Sequence, residues 1–163
     1  MNAGGGGALL VCSLGPFRLR GRPLAIGLPL PTVLAVQGCE SFVALPSTPP
    51  VIGQAAYAEA PVPVLSPLAA LGLPEPSGAR WMGSAGRRPK LVVVRGGDGE
   101  PLALRVAAAL GIEHWLHQAS PDLLAPLASP AITGTIARRE RWTAVLDPAR
   151  LAATAETDPY SDT

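Results

Sequence analysis

Two histidines, His114 and His117, stand three residues apart in "EHWLHQ", with Glu113 beside the first. On a helix that spacing places two imidazoles on one face, the beginning of a zinc site. Such a site needs at least one more ligand. The chain has no third histidine and no C-x-x-C pair, so partly exposed histidines flanking Trp115 are expected instead. Ser84 lies in the glycine loop "GSAGRRPK". No G-x-S-x-G surrounds it, and no Lys-Ser/Thr follows it as a phosphate loop requires. "GGDGE" has the backbone to cradle an ion, but a tight hairpin turn explains the same residues more cheaply. Two cysteines, Cys12 and Cys39, make no disulfide framework. Each sits beside or within apolar sequence, so buried or half-buried thiols are expected, with a single bridge as the alternative. The 12 acids are scattered, and no nucleophile has a base and an oxyanion donor beside it. The expectation is a protein without a catalytic centre, metal or cofactor.

The bulk composition narrows the partners. The chain has 163 residues, enough for one domain or two small subdomains sharing a core. Apolar residues make up 48% and charged residues 15%, so composition excludes disorder. Net charge is +1. The basic runs Arg87-Arg88-Pro89-Lys90 and Arg138-Arg139-Glu140-Arg141 are short, and the second is broken by an acid. They are read as solvated turns, and no nucleic-acid partner is expected. The uncharged stretches 23–39 and 41–58 each hold three prolines. A spanning helix tolerates few such breakers, so both are read as buried strands and loops, with no membrane insertion. The N-terminus has no basic region before its short apolar run and is not read as a signal peptide. A cytoplasmic protein is expected.

The elements that must position any site are mostly strands. Residues 1–8 read as a flexible leader with four consecutive glycines. "ALLVCSLG" (8–15) reads as a first strand ended by Gly15-Pro16, and a second is expected around Leu24 to Leu28. Residues 32–45 offer a short helix or strand edge, then a strand at Ser41 to Leu45. "VIGQAAYAEAPVPVLSPLAALGL" (51–73) reads as two strands and a helical turn. Ser66 serves as N-cap, Pro67 as first helical residue and Gly72 as stop. Val62 and Val64 fall on one face of the second strand and Pro61 and Pro63 on the other. Proline cannot donate to a ladder, so this strand is expected at an edge, or with its prolines away from the pairing side. Residues 74–90 read as a linker. The clearest signal is the hairpin 91–95, 96–99, 101–106. Residues 107–118 suit a helix by propensity, although Gly111 interrupts it. Residues 131–152 read as strand, turn, strand and a short helix capped by Asp147 with Pro148 first. Residues 153–163 read as a tail. No strict repeat emerges, but the units 51–73 and 131–152 are loosely alike. The count of short strands indicates an all-β fold of small barrels.

The 51–73 stretch resembles the signature of CheW-like chemotaxis adaptor domains through Val51, Gly53, Val62, Pro63, Val64, Gly72 and Leu73. Three further segments resemble the family in the same order. They are "VLAV" (33–36), then Leu104, Val106 and Gly111, then Gly134, Leu146, Asp147 and Leu151. The resemblance spans 9–152 and implies one domain built of two SH3-like five-stranded barrels on a shared core, with short helices. It implies a non-catalytic adaptor that couples chemoreceptor cytoplasmic tips to the regulatory domain of a histidine kinase. An alternative is a divergent module of the same fold serving another chemosensory or pilus-motility partner. Protein-binding residues are expected at Val33, Val36, Tyr57, Ala58 and Glu59. The sequence departs from the family in the turn. The family's Asn, Arg and Gly are replaced by Ala56, Ala58 and Glu59, its two motif aspartates by Ser66 and Ala107. Loss of the arginine removes a charge-assisted donor. Loss of the glycine implies a turn of different geometry.

Overall fold

The computed structural model describes residues 7–47, 50–73, 88–115 and 129–151. In chain order its strands are β1 (Gly7–Leu19), β2 (Arg22–Pro29), β3 (Val33–Gly38), β4 (Val43–Ala44), β5 (Val51–Tyr57), β6 (Ala60–Leu65), β7 (Lys90–Arg95), β8 (Pro101–Val106), β9 (Ala108–Trp115), β10 (Ile132–Ala137) and β11 (Trp142–Leu146). A 3-10 turn, Leu30–Thr32, leads into β3, a short helix, α1 (Pro67–Ala70), follows β6, and residues 148–151 are helical after β11. The expected mainly β architecture of two small units therefore holds. One sheet has five strands, in the order β10-β11-β2-β1-β9. The other has six, in the order β3-β7-β8-β6-β5-β4.

The two sheets are built to one plan. Each starts from a central hairpin, β1–β2 or β7–β8. A second hairpin, β10–β11 or β5–β6, then joins it through a parallel contact. The crossing strand comes from the other half of the chain: β9 pairs with β1, and β3 pairs with β7. The correspondence extends to single residues. Val51 opposes Leu65 and Gly53 opposes Val64, with a bulge between them. Ile132 opposes Leu146 and Gly134 opposes Val145, with the same bulge. β3 slips against β7 between Val33 and Ala35, and β9 slips against β1 between Ala109 and Gly111. The Ser66 amide donates to the Pro50 carbonyl at 2.8 Å, and the Asp147 amide to the Ala131 carbonyl at 2.9 Å. The fold is thus an internal duplication in which the halves exchange a strand. Residues 74–87, outside the described set, connect α1 to β7, so β6 and β7 flank the expected linker within one sheet.

Exchange explains why two apolar runs have no alternation. On β1, Leu10, Cys12 and Leu14 face the core shared by both sheets, while Leu9 and Val11 face the inside of the five-stranded sheet. On β7, Val92 and Val94 join the shared core, while Leu91 and Val93 face the inside of the six-stranded sheet. A strand buried on both faces reads as a continuous hydrophobic run. β6 shows the opposite pattern. Val62 and Val64 are buried and Pro61 and Pro63 exposed. β6 is not an edge strand, but its pairing with β8 begins only at Val64, beyond the prolines. The missing donors therefore cost no ladder bond there.

The local caps follow expectation. Ser66 Oγ accepts from the Ala69 amide at 3.2 Å, and Asp147 Oδ1 accepts from the Ala149 amide at 3.0 Å. Two expectations are overturned. β1 does not stop at Gly15. It continues to Leu19, because Gly15 takes φ +83° inside an irregularity in the pairing between Ser13 and Arg18. Residues 107–118 do not form a helix over their described part. Residues 108–115 are strand β9, recruited by seven backbone partners on β1. Gly111, at φ +133°, sits at the bulge that this pairing requires. The edge of β1 decides against propensity there. The leader expected over 1–8 is outside the described set through residue 6, and β1 begins at Gly7.

Two core threonines, Thr135 and Thr143, have unpaired hydroxyls among the described residues, and the duplication bears on the second. Thr143 is 1% exposed, and its hydroxyl has no hydrogen-bond partner among the described residues. Its counterpart in the six-stranded sheet, one residue along from the matching turn, is the buried Val62. An unpaired buried hydroxyl costs about 1–3 kcal/mol. The near-isosteric Thr143→Val is therefore expected to stabilise the protein by about 1 kcal/mol, measured as a rise in the urea midpoint with an unchanged m-value.

Candidate protein-binding surface

Side chains at matching positions tie each crossing strand to a hairpin. Gln37 on β3 donates to the Ala56 carbonyl of β5 at 2.8 Å. Glu113, the equivalent residue on β9, pairs with Arg141 and, at 3.6 Å, with Arg138 beside the β10–β11 turn. The first of these bonds lies beside two of the expected residues. Gln37 is next to Val36, and Ala56 is next to Tyr57. The bond therefore brings β3 and the β5–β6 turn to one region of the surface.

Within that region the expected residues separate. Val36 is 45% exposed. Val33 is partly buried against the shared core. Tyr57 is partly buried and packs on the inner cluster of the six-stranded sheet with Ala55, Val62 and Val64. Ala58 and Glu59 are exposed at the turn tip. The turn takes positive φ without a glycine. Ala58 has φ +50° and Glu59 φ +65°, the signature of the mirror-image two-residue turn that suits hairpin twist. The pair Tyr57–Ala60 closes the ladder directly. Strand register thus imposes the left-handed conformation on two residues that disfavour it, at about 1–2 kcal/mol each.

Val36 forms one wall of a groove of about 300 Å³. The facing wall is Ala107, Ala108 and Ala109, where β9 begins. One wall therefore belongs to each sheet. Arg88 and Lys90 stand over the groove and are exposed. They also border an adjacent hollow of about 390 Å³ that contains Cys39, Glu40, Phe42 and Arg105. The Arg105 guanidinium lies 5.7 Å from the Phe42 ring centre. The groove lining therefore combines small apolar side chains with cations. Sequence reasoning missed the alanines and treated Arg88 and Lys90 as a solvated turn. The basic run was the available signal, but only the packing of two sheets places it beside Val36.

The residues first considered for chemistry do not converge. His114 is exposed on β9, opposite Ala8. His117 and Ser84 lie outside the described residues. Among the described residues no group of three or more histidine, cysteine, aspartate or glutamate side chains could hold a metal. Both cysteines are free, so the alternative of a bridge is excluded. Cys12 lies in the shared core, and burial pushes its thiol from 9.0 up to about 12. Cys39 is half-buried and donates to the Pro89 carbonyl at 3.3 Å. Burial raises its thiol, Arg105 and Lys90 pull it back, and Glu40 adds to the rise. No helix among the described residues is long and apolar enough to cross a membrane.

The fold defines a class, two interlocked curled sheets around one core. The chain belongs to the CheW-like domain family, which matches residues 16–156. Among solved structures it is similar to the scaffolding protein TtCheW from Thermoanaerobacter tengcongensis. Identity is 15% and the TM-score 0.67, over 89% of this chain and 86% of that one. No curated protein matches at a significant level.

Two outcomes follow from this geometry. Glu59→Gly relieves one left-handed residue and is expected to stabilise the fold by about 1 kcal/mol in chemical denaturation. The thiols should be inert. At pH 8 iodoacetamide should leave Cys12 unmodified until the protein unfolds and label Cys39 more slowly than a free cysteine. Because the folded pKa of Cys12 is raised, its contribution to stability is full below about pH 9 and is lost as pH rises towards about 12. Denaturation midpoints across that range measure the loss.

Proposed function

We propose that the protein is a non-catalytic cytoplasmic adaptor of chemotaxis-type signalling, coupling a chemoreceptor tip to the regulatory domain of a histidine kinase. Family membership over most of the chain supports the adaptor role. The observation that carries the docking site is the groove between the two sheets, with exposed Val36 on one wall and Arg88 and Lys90 above it. An adaptor needs a surface that is formed before its partner arrives, because ordering a surface on binding weakens the complex. This groove is built from strands held by backbone ladders. Its small apolar floor admits a side chain or a helix face, and its cations select an acidic neighbour.

The β5–β6 turn supports a second reading. Where the family signature has an arginine and a glycine, this chain has Ala58 and Glu59, which are exposed. The backbone of the turn is kept while its donor is gone. A chain of this fold that serves another chemosensory or pilus-motility partner would show that pattern.

Titration by calorimetry against the cognate kinase regulatory domain and a receptor tip fragment tests the two readings. Binding to one or both is expected. Val36→Glu should weaken it about tenfold or more, by placing a charge on the apolar wall, with the thermal midpoint nearly unchanged because Val36 is exposed. Tyr57→Ala should instead lower the midpoint, because its ring packs on the inner cluster. No binding to either partner would sink the first reading and leave the second.

A further inference from the structure

Two hairpin turns far apart in sequence meet at one end of the five-stranded sheet. The β1–β2 turn carries Arg18, Arg20 and Arg22, and the β10–β11 turn carries Arg138, Arg139 and Arg141. The parallel pairing of β2 with β11, Leu24 opposite Trp142, sets the two turns side by side. Specific contacts lock them. Arg22 donates to the Arg138 carbonyl at 3.0 Å. Its guanidinium carbon lies 4.7 Å from the centre of the Trp142 ring. The Trp142 indole donates to the Leu19 carbonyl at 3.0 Å. The carboxylates on these turns and on the strand facing them are Glu113 and Glu140. Six arginines against two acids leave a surplus of four positive charges, in a chain whose total is +1. Arg18, Arg20, Arg138 and Arg139 are exposed.

We propose that this arginine-rich end is a second docking site, which takes an acidic segment of a partner protein. The site already shows the chemistry it would use. The Glu113 carboxylate sits between Arg138 and Arg141, so the arginine spacing fits a carboxylate. Guanidinium forks match carboxylates in a planar, two-bond geometry that lysine lacks. Arg22 is held in place by its carbonyl and its indole, so little freedom remains to be lost when a ligand binds. A bilayer is the poorer occupant. Among the described residues the exposed large apolar side chains are Val36, Val43, Leu45, Leu110 and Ile112, and none lies in either turn. Duplex nucleic acid is also poorer, since two turn tips offer a compact patch and not a stripe along the backbone.

The site shares no residue with the Val36 groove, so its test does not depend on the adaptor reading. A fluorescent poly-glutamate peptide is titrated with the full chain and followed by anisotropy. The wild type should bind it at low salt and lose affinity as salt rises. R20E/R139E should weaken binding about tenfold or more. R95E/R150E makes the same change in net charge outside both this end and the Val36 groove and should alter it less than about threefold. Thermal midpoints report whether each variant is folded, and R20Q/R139Q replaces the first pair if charge reversal prevents folding. The proposal is overturned if the wild type does not bind the peptide, or if both charge-reversal pairs weaken it equally. It is also overturned if a DNA duplex or phosphatidylglycerol vesicles compete the peptide away at equal charge. Salt-sensitive self-association in sedimentation velocity that R20E/R139E abolishes would assign the end to a second copy, and would equally refute it.

Discussion

The structure depends on an unsatisfied edge. A hairpin such as β1–β2 or β7–β8 presents a row of free backbone donors and acceptors, which are costly to bury unpaired. Each hairpin here is completed by a strand from the other half of the chain. Neither half can complete its own sheet. That constraint fuses the two inner clusters to one shared core, because β1 and β7 must be apolar on both faces. It also creates the groove. The crossing strands β3 and β9 leave one sheet for the other, and the small residues 107–109 stand where β9 begins.

The same constraint separates what the sequence discloses from what it does not. The hairpin 91–106 was legible because its apolar runs and its glycine turn lie within one short window. The capped helical turns after β6 and β11 were legible for the same reason: Ser66-Pro67 and Asp147-Pro148 are local signals. β9 was not. Its residues carry no strand alternation, and their state is set by β1, about a hundred positions earlier. The continuation of β1 past Gly15-Pro16 was hidden in the same way, since β2 supplies the pairing. The duplication itself left little trace in side chains. Bulges, caps and register repeat; Gly53, Val64, Leu65 and Pro67 recur as Gly134, Val145, Leu146 and Pro148, while most other matched residues differ.

At the candidate surface the sequence pointed to residues that lie in one region, but it did not say which of them face outward. Val36 and the 57–59 turn were legible through their motif and are brought together by the Gln37 bond. That Val33 and Tyr57 face inward while Val36 does not depends on a bulge between Val33 and Ala35 and on sheet curvature. The alanines of the facing wall were invisible, because an alanine has no chemical signature of its own. The β5–β6 turn gives the complementary lesson. It is left-handed without a glycine, since shifting the register of a strand buried on one face would turn its buried residues outward.

Duplication fixes the backbone but leaves the surface of each copy free to diverge. The turns that correspond to the arginine-bearing pair are β7–β8 and β5–β6. They carry Glu59, Asp98 and Glu100 against Arg95. One copy of the motif therefore ends in cations and its twin ends largely in anions. The formal sum of +1 conceals this completely. An isoelectric measurement would describe a nearly neutral protein. A charged neighbour approaching through water would meet a surface whose sign depends on which copy of the motif it faces.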